Sequence, residues 1–314
     1  MRIVVMGTGP FIVPSFRSLL QSEHQILALV TQPIPQKRRG TPPPNPTRAI
    51  ADEHGLPILD PLSVNEADSV KALGQLNCDL LVVCDYGQIL SEETLSTSRL
   101  GGINLHGSLL PKFRGAAPVQ WAILSGEDES GVSVIHMTPK LDAGPCLCTA
   151  ATPIGGKETA GELEERLAVI GVDAVNRSIE MLESWDGESA IGEVQDPALA
   201  TRAPRLKKQD GAIDWTQPAV EIERRVRAFQ PWPGTFTFWQ QAPKQPLRLI
   251  VVSAEVVDEP LPSGEIRIVE EQLYVGCGQQ SLSLLEVKPA GKRSMSIAEF
   301  ARGYRLESGH TFSP

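Results

Sequence analysis

Between Arg2 and Met137 the chain holds five short runs rich in Val, Ile and Leu, and a turn closes each one. They are "RIVVMG", "QILALVTQ", "CDLLVVCDYG", "GGINLHG" and "GVSVIHM". Runs of this kind suit strands buried on both faces. Helical spacing fills the gaps, as in Phe11, Phe16, Leu19 and Leu20, and again over 65–75 and 117–124. A chain that alternates buried strands with helices has few ways to cover itself. The pattern predicts an α/β fold, a Rossmann-like doubly wound parallel sheet with its site at the carboxyl ends of the strands.

The remainder reads differently. Residues 157–185 predict one long amphipathic helix, opened by a Thr159/Glu162 capping box. A polar stretch with little sustained period follows, then a short basic helix, "AVEIERRVRAF", stopped by Pro231 and Pro233. From Thr235 onward come five alternating strand candidates separated by turn residues: "TFTFW", "LRLIVVSAEVV", "GEIRIV", "QLYVGCG" and "SLSLLEV". They predict a small OB-like antiparallel β-barrel. The expected organisation is a Rossmann-like catalytic domain over 1–188, a linker over 189–208 and an OB-like domain over 209–314.

The net charge of −9 argues against a uniformly basic nucleic-acid binder, but it is unevenly spread. Residues 205–314 carry 14 Lys and Arg against 13 Asp and Glu, or +1; the rest carries 15 against 25, or −10. Basic clusters stand out against this background: Lys37, Arg38 and Arg39; Lys112 and Arg114; Arg205, Lys207 and Lys208; Arg224, Arg225 and Arg227. Together they favour a polyanionic partner. Five scattered cysteines without a CxxC pair suit reduced, structural thiols. The apolar run at Ile3–Met6 is too short for a secretion signal, and no run approaches the length of a membrane span. A cytoplasmic protein without membrane contact is expected.

"GTGP" after the first run lacks the third glycine of a dinucleotide fingerprint, since Ile12 stands there, and Thr31 and Gln32 replace the expected acid. A tight turn is the better reading. "INLHGSLLPKFRGAAP" is more informative. Residues i and i+2 of a strand share a face, so Asn104 and His106 project together at a strand's carboxyl end. An amide can donate to a carbonyl oxygen that is becoming negative, and a near-neutral imidazole can accept the proton of an attacking amine. A carboxylate best orients such a histidine; "LDAGP" supplies Asp142, with Asp85 as the alternative. Ser108 lacks the flanks of a nucleophile elbow, and no histidine spacing suggests a metal site.

"INLHGSLLPKFRGAAP" with "LDAGP" resembles the signature of the formyltransferases that use 10-formyltetrahydrofolate, and the likeness spans essentially the whole chain. It implies Asn104, His106 and Asp142 as catalytic residues. It implies a tetrahydrofolate site at Ser108, Leu109, Leu110 and Pro111, with Tyr86, Gly87 and Leu90 lining the pterin pocket, and no metal. "RLKKQDGAIDW", "RAFQPWPG" and "KPAGKRSMS" resemble the family members whose acceptor is initiator methionyl-tRNA. That implies RNA contacts at Lys37, Arg38, Arg39, Arg114, Lys207 and Lys208, in a monomer. Two other readings stay open here: a sugar-nucleotide or purine-precursor amine as acceptor, and a non-catalytic RNA-binding module that keeps the folate pocket.

Overall fold

The computed structural model describes residues 1–34, 45–240 and 245–313 and divides into two compact units. The first comprises residues 1–118, 129–153 and 164–204; the second comprises 119–128, 154–163 and 205–314.

The chain opens with β1 (Arg2–Met6), α1 (Val13–Leu20), β2 (Gln25–Val30), α2 (Pro46–Glu53), β3 (Ile58–Leu59), α3 (Ala67–Gln75), β4 (Leu80–Val83), α4 (Glu92–Leu95) and β5 (Gly102–His106). It continues through β6 (Arg114–Gly115), α5 (Pro118–Leu124), β7 (Glu129–His136), β8 (Cys146–Pro153), α6 (Ala160–Glu183) and β9 (Arg202–Ala203). The main sheet has the order β3-β2-β1-β4-β5-β7-β8. It is parallel from β3 through β5, a Rossmann-like core in which every residue from Ile3 to Met6 and from Leu80 to Val83 is buried. Burial on both faces is what the continuous apolar runs anticipate.

The far edge departs from the parallel pattern. β7 runs antiparallel to β5, and β8 antiparallel to β7. The end of β7 therefore lies beside the start of β5: the Met137 amide donates to the Gly102 carbonyl at 2.7 Å. A site at the end of β5 is then completed only if the loop after β7 turns back.

The polar stretch expected as a linker over 189–208 is built into the first unit as far as residue 204. Glu193 exchanges both backbone hydrogen bonds with Cys146, at 2.8 Å each, and β9 pairs parallel with β6. Its polarity reflects a segment that satisfies the backbone groups of others.

The second unit contains the predicted capping box. The Thr159 hydroxyl accepts from the Glu162 amide at 3.3 Å, and the Glu162 carboxylate accepts from the Thr159 amide at 2.9 Å. After α7 (Ala219–Ala228) come β10 (Thr235–Trp239), β11 (Leu247–Val257), β12 (Ile266–Val269), β13 (Gln272–Gly276) and β14 (Ser281–Pro289), the five expected strands. β15 (Met295–Ser296), α8 (Ile297–Tyr304) and β16 (Phe312–Ser313) follow. Antiparallel pairing gives the order β12-β13-β14-β11-β10-β16. The segment leading into β16 also bonds to the other edge: Ile266 donates to the His310 carbonyl, and Phe312 to the Gly264 carbonyl, at 2.9 and 2.8 Å. This double pairing joins the two edges of the curled sheet, as an OB-like barrel requires. Gly264 has φ +78, and a Cβ there would lie 2.7 Å from the Phe312 carbonyl, so closure needs a glycine. Inside are Trp215, Trp239, Leu249, Leu284 and Phe300. Among the described residues, no helix is long and apolar enough to cross a membrane.

Candidate active site

β5 sits between β4 and β7 and presents Asn104 and His106 to one face of the sheet. Asn104 is half-buried, and its side-chain amide makes no hydrogen bond among the described residues. His106 is only 6% exposed. Its Nε2 lies 2.9 Å from the Phe113 carbonyl oxygen. A carbonyl only accepts, so Nε2 carries the proton of the neutral ring and Nδ1 is left with a free lone pair.

The turn after β5 is braced from within. Ser108 is buried and donates to the Lys112 carbonyl at 2.7 Å. The Ser133 hydroxyl donates to the Ser108 carbonyl at 2.8 Å and accepts from the Leu110 amide at 3.0 Å. Phe113 has φ +62, an uncommon value for a bulky residue, and its amide donates to the Thr201 hydroxyl at 2.8 Å.

Asp142 arrives on the loop that turns back from β7, with φ +47. Its Oδ2 stands 3.9 Å from His106 Nδ1 and accepts from the Gly115 amide at 2.8 Å. A span of 3.9 Å is too long for a hydrogen bond and short enough for strong attraction to an imidazolium. The contact that holds the ring directly is thus the Phe113 carbonyl, while the Asp142 charge faces the free nitrogen. A Cβ on Gly144, in the same loop, would collide with the His136 carbonyl. Asp85, the other carboxylate considered, packs against Gly9. Burial, followed by repulsion from Asp85 and Glu165, pushes Glu164 up to about 7.

The remaining expected site residues fall in several settings. Tyr86 and Leu90 are buried in the core with Val4, Met6 and Val83, and Gly87 is exposed with φ +84. The Tyr86 hydroxyl is buried without a hydrogen-bond partner among the described residues, and burial pushes it up to about 12. Leu109 and Pro111 are half-buried and Leu110 is buried. Lys207 and Lys208 are exposed. Arg114, expected at the RNA, directs Nε and Nη2 to the Gln195 side-chain oxygen, at 3.1 and 2.7 Å. Lys37, Arg38 and Arg39 lie outside the described residues. Sequence reasoning missed Phe113, Ser133, Gln195 and Thr201. Phe113 and Ser133 stand inside quoted stretches but carry no side-chain chemistry that marks them. Gln195 and Thr201 belong to no motif and act across long gaps in the chain, 88 residues from Thr201 to Phe113. Among the described residues, no three His, Cys, Asp or Glu side chains are grouped to hold a metal.

An unpartnered amide, an imidazole of fixed tautomer and a carboxylate, gathered at the end of a Rossmann-like sheet, make a site suited to acyl transfer onto an amine. The family described as "Formyl transferase" matches residues 1–179, and "Formyl transferase, C-terminal domain" matches residues 205–305. The chain belongs to the formyl transferase family. Within that family it is 49% identical to the methionyl-tRNA formyltransferase of Rhodopirellula baltica, over 98% of this chain and 96% of that protein. It is 40% identical to the protein of the same name from Geobacter sulfurreducens, again over 98% and 96%. Among solved structures, a sugar 3N-formyl transferase, WlaRD, superposes with a TM-score of 0.65 at 18% identity, over 93% of this chain and 99% of that one. HypX from Aquifex aeolicus, in complex with tetrahydrofolic acid, gives 0.60 at 15% identity, covering 96% of this chain and 47% of that one. These two likenesses concern the fold.

Proposed function

We propose that this protein transfers the formyl group of 10-formyltetrahydrofolate to the free α-amine of initiator methionyl-tRNA. The observation that carries the reading is identity of 49% to a methionyl-tRNA formyltransferase across nearly the whole of both chains, barrel unit included. The folate supplies an activated formyl carbon on N10. A bond forms from the amine nitrogen to that carbon, the bond from the carbon to N10 breaks, and the amine proton ends on N10. Asn104 donates to the oxygen that becomes negative. His106 takes the amine proton on Nδ1, and Asp142 stabilises the resulting cation.

Ser108 to Pro111 with Tyr86, Gly87 and Leu90 would hold the folate. The unsatisfied Tyr86 hydroxyl fits a polar ring edge there. Lys207 and Lys208, together with Lys37, Arg38, Arg39 and Arg114, would meet tRNA phosphates. We further read the protein as a cytoplasmic monomer; five free thiols support a reducing compartment. The test is a formylation assay with 10-formyltetrahydrofolate and charged initiator or elongator tRNA. Formylated initiator methionyl-tRNA is expected, and no product under saturating folate rejects the reading.

A further inference from the structure

The two family matches leave out residues 180–204, the stretch between them. In the fold, part of this stretch lies along both segments that flank His106. We propose that residues 193–203 form a strap belonging to the active site, with Gln195 and Thr201 as positioning residues. The inference rests on the reaction proposed above.

Gln195 is 7% exposed, and its single amide joins three segments. Its nitrogen donates to the Asp142 carbonyl at 2.9 Å and to the Gly144 carbonyl at 2.7 Å. Its oxygen accepts from Arg114. Carbonyls only accept and a guanidinium only donates, so one orientation of the amide satisfies all four contacts. The Asp142 backbone, at φ +47, is thereby pinned where its carboxylate faces His106 Nδ1.

Thr201 does the same for the other ring nitrogen. Its hydroxyl holds the Phe113 amide, its carbonyl accepts from the Arg114 amide at 2.9 Å, and its own amide donates to the Pro111 carbonyl at 3.3 Å. Phe113 is the residue whose carbonyl receives the His106 Nε2 proton. Both nitrogens of the imidazole are therefore faced by groups that the strap fastens. Two residues beyond Thr201, the Ala203 carbonyl accepts from the Ala116 amide at 2.8 Å, and the neighbouring Gly115, with φ +131, brings its amide to Asp142.

Gln195→Glu is the informative variant. It keeps the shape and the contact to Arg114, but it cannot donate and sets an anion against two carbonyl oxygens. Turnover per folded molecule should fall about 10²-fold, with both KM values within about threefold of wild type. The Gly115 amide, which reports on Asp142 directly, should exchange its hydrogen faster. Thr201→Val should lower turnover about tenfold or more, and Thr201→Ser should recover most of that loss. A purely structural role would lower the melting temperature and leave turnover per folded molecule intact. Turnover in Gln195→Glu within about threefold of wild type overturns the inference, as does equal turnover in the two Thr201 variants should Gln195→Glu not fold. A wild type that formylates no methionyl-tRNA rejects the proposed function instead; Gly115 exchange in Gln195→Glu then decides the strap alone, with unchanged exchange counting against it.

Discussion

The carbonyl oxygen of Phe113 lies 2.9 Å from Nε2 of His106, and this contact decides which nitrogen of the ring keeps a lone pair. With the proton of the neutral ring on Nε2, the lone pair sits on Nδ1, which faces Asp142 Oδ2 at 3.9 Å. In the proposed reaction the carboxylate would act on the charge that develops when Nδ1 is protonated, since it faces that nitrogen and not the one that holds the proton of the neutral ring.

Asp142→Asn keeps the shape of the side chain and an oxygen for the Gly115 amide, but removes the charge. Turnover at neutral pH should drop on the order of 10²-fold, less than where such a pair is hydrogen-bonded directly. Rapid-quench measurement of formylation checks this. Full activity in the variant would mean that the imidazolium forms without help from Asp142.

The Asn104 amide has no partner of its own among the described residues, so its removal should leave the fold intact and affect the chemistry. Asn104→Ala is expected to lower kcat by about 10²–10³ while tRNA affinity, read by filter binding, stays near wild type. Near-normal turnover would remove Asn104 from the oxyanion role.

Glu164 gives a pH signature. Its folded pKa, raised to about 7 by burial and then by Asp85 and Glu165, exceeds the ordinary carboxyl value of 4.5. Between those values the unfolded chain has released the proton and the folded chain retains it, so stability falls as pH rises from 4.5 to 7 and levels off above. The loss is at most about 3 kcal/mol. Urea unfolding of Glu164→Gln should lack this slope; a wild-type slope in the variant would assign it elsewhere.

Phe312 is buried and stacks on Trp215, with ring centroids 6.0 Å apart, in the segment that joins the barrel edges. Phe312→Ala should cost about 3–5 kcal/mol of stability in the second unit. Differential scanning calorimetry reads the shift. Loss of under 1 kcal/mol would show that closure does not depend on this side chain.

Much of the molecule was legible because its signals are local. The buried runs of β1 and β4 and the alternation of β10 to β14 are patterns within a few residues, and each formed the expected element. Asn104 and His106 share a face because strand geometry demands it. The 189–208 stretch, expected as a linker, is less legible for the opposite reason: polarity without periodicity is common to a tether and to a segment that serves other segments' backbone groups.

The sequence by itself determined the classes of the elements, the pairing of amide and imidazole on one strand, and the acid in "LDAGP". Tertiary structure alone decided that β7 runs antiparallel to β5, that its following loop turns back to His106, and that Gln195 bonds to the Asp142 carbonyl and Thr201 to the Phe113 amide. Periodicity is a property of neighbours in the chain. Strand direction and these hydrogen bonds instead join residues tens of positions apart, whose approach is set by the burial of the whole sheet.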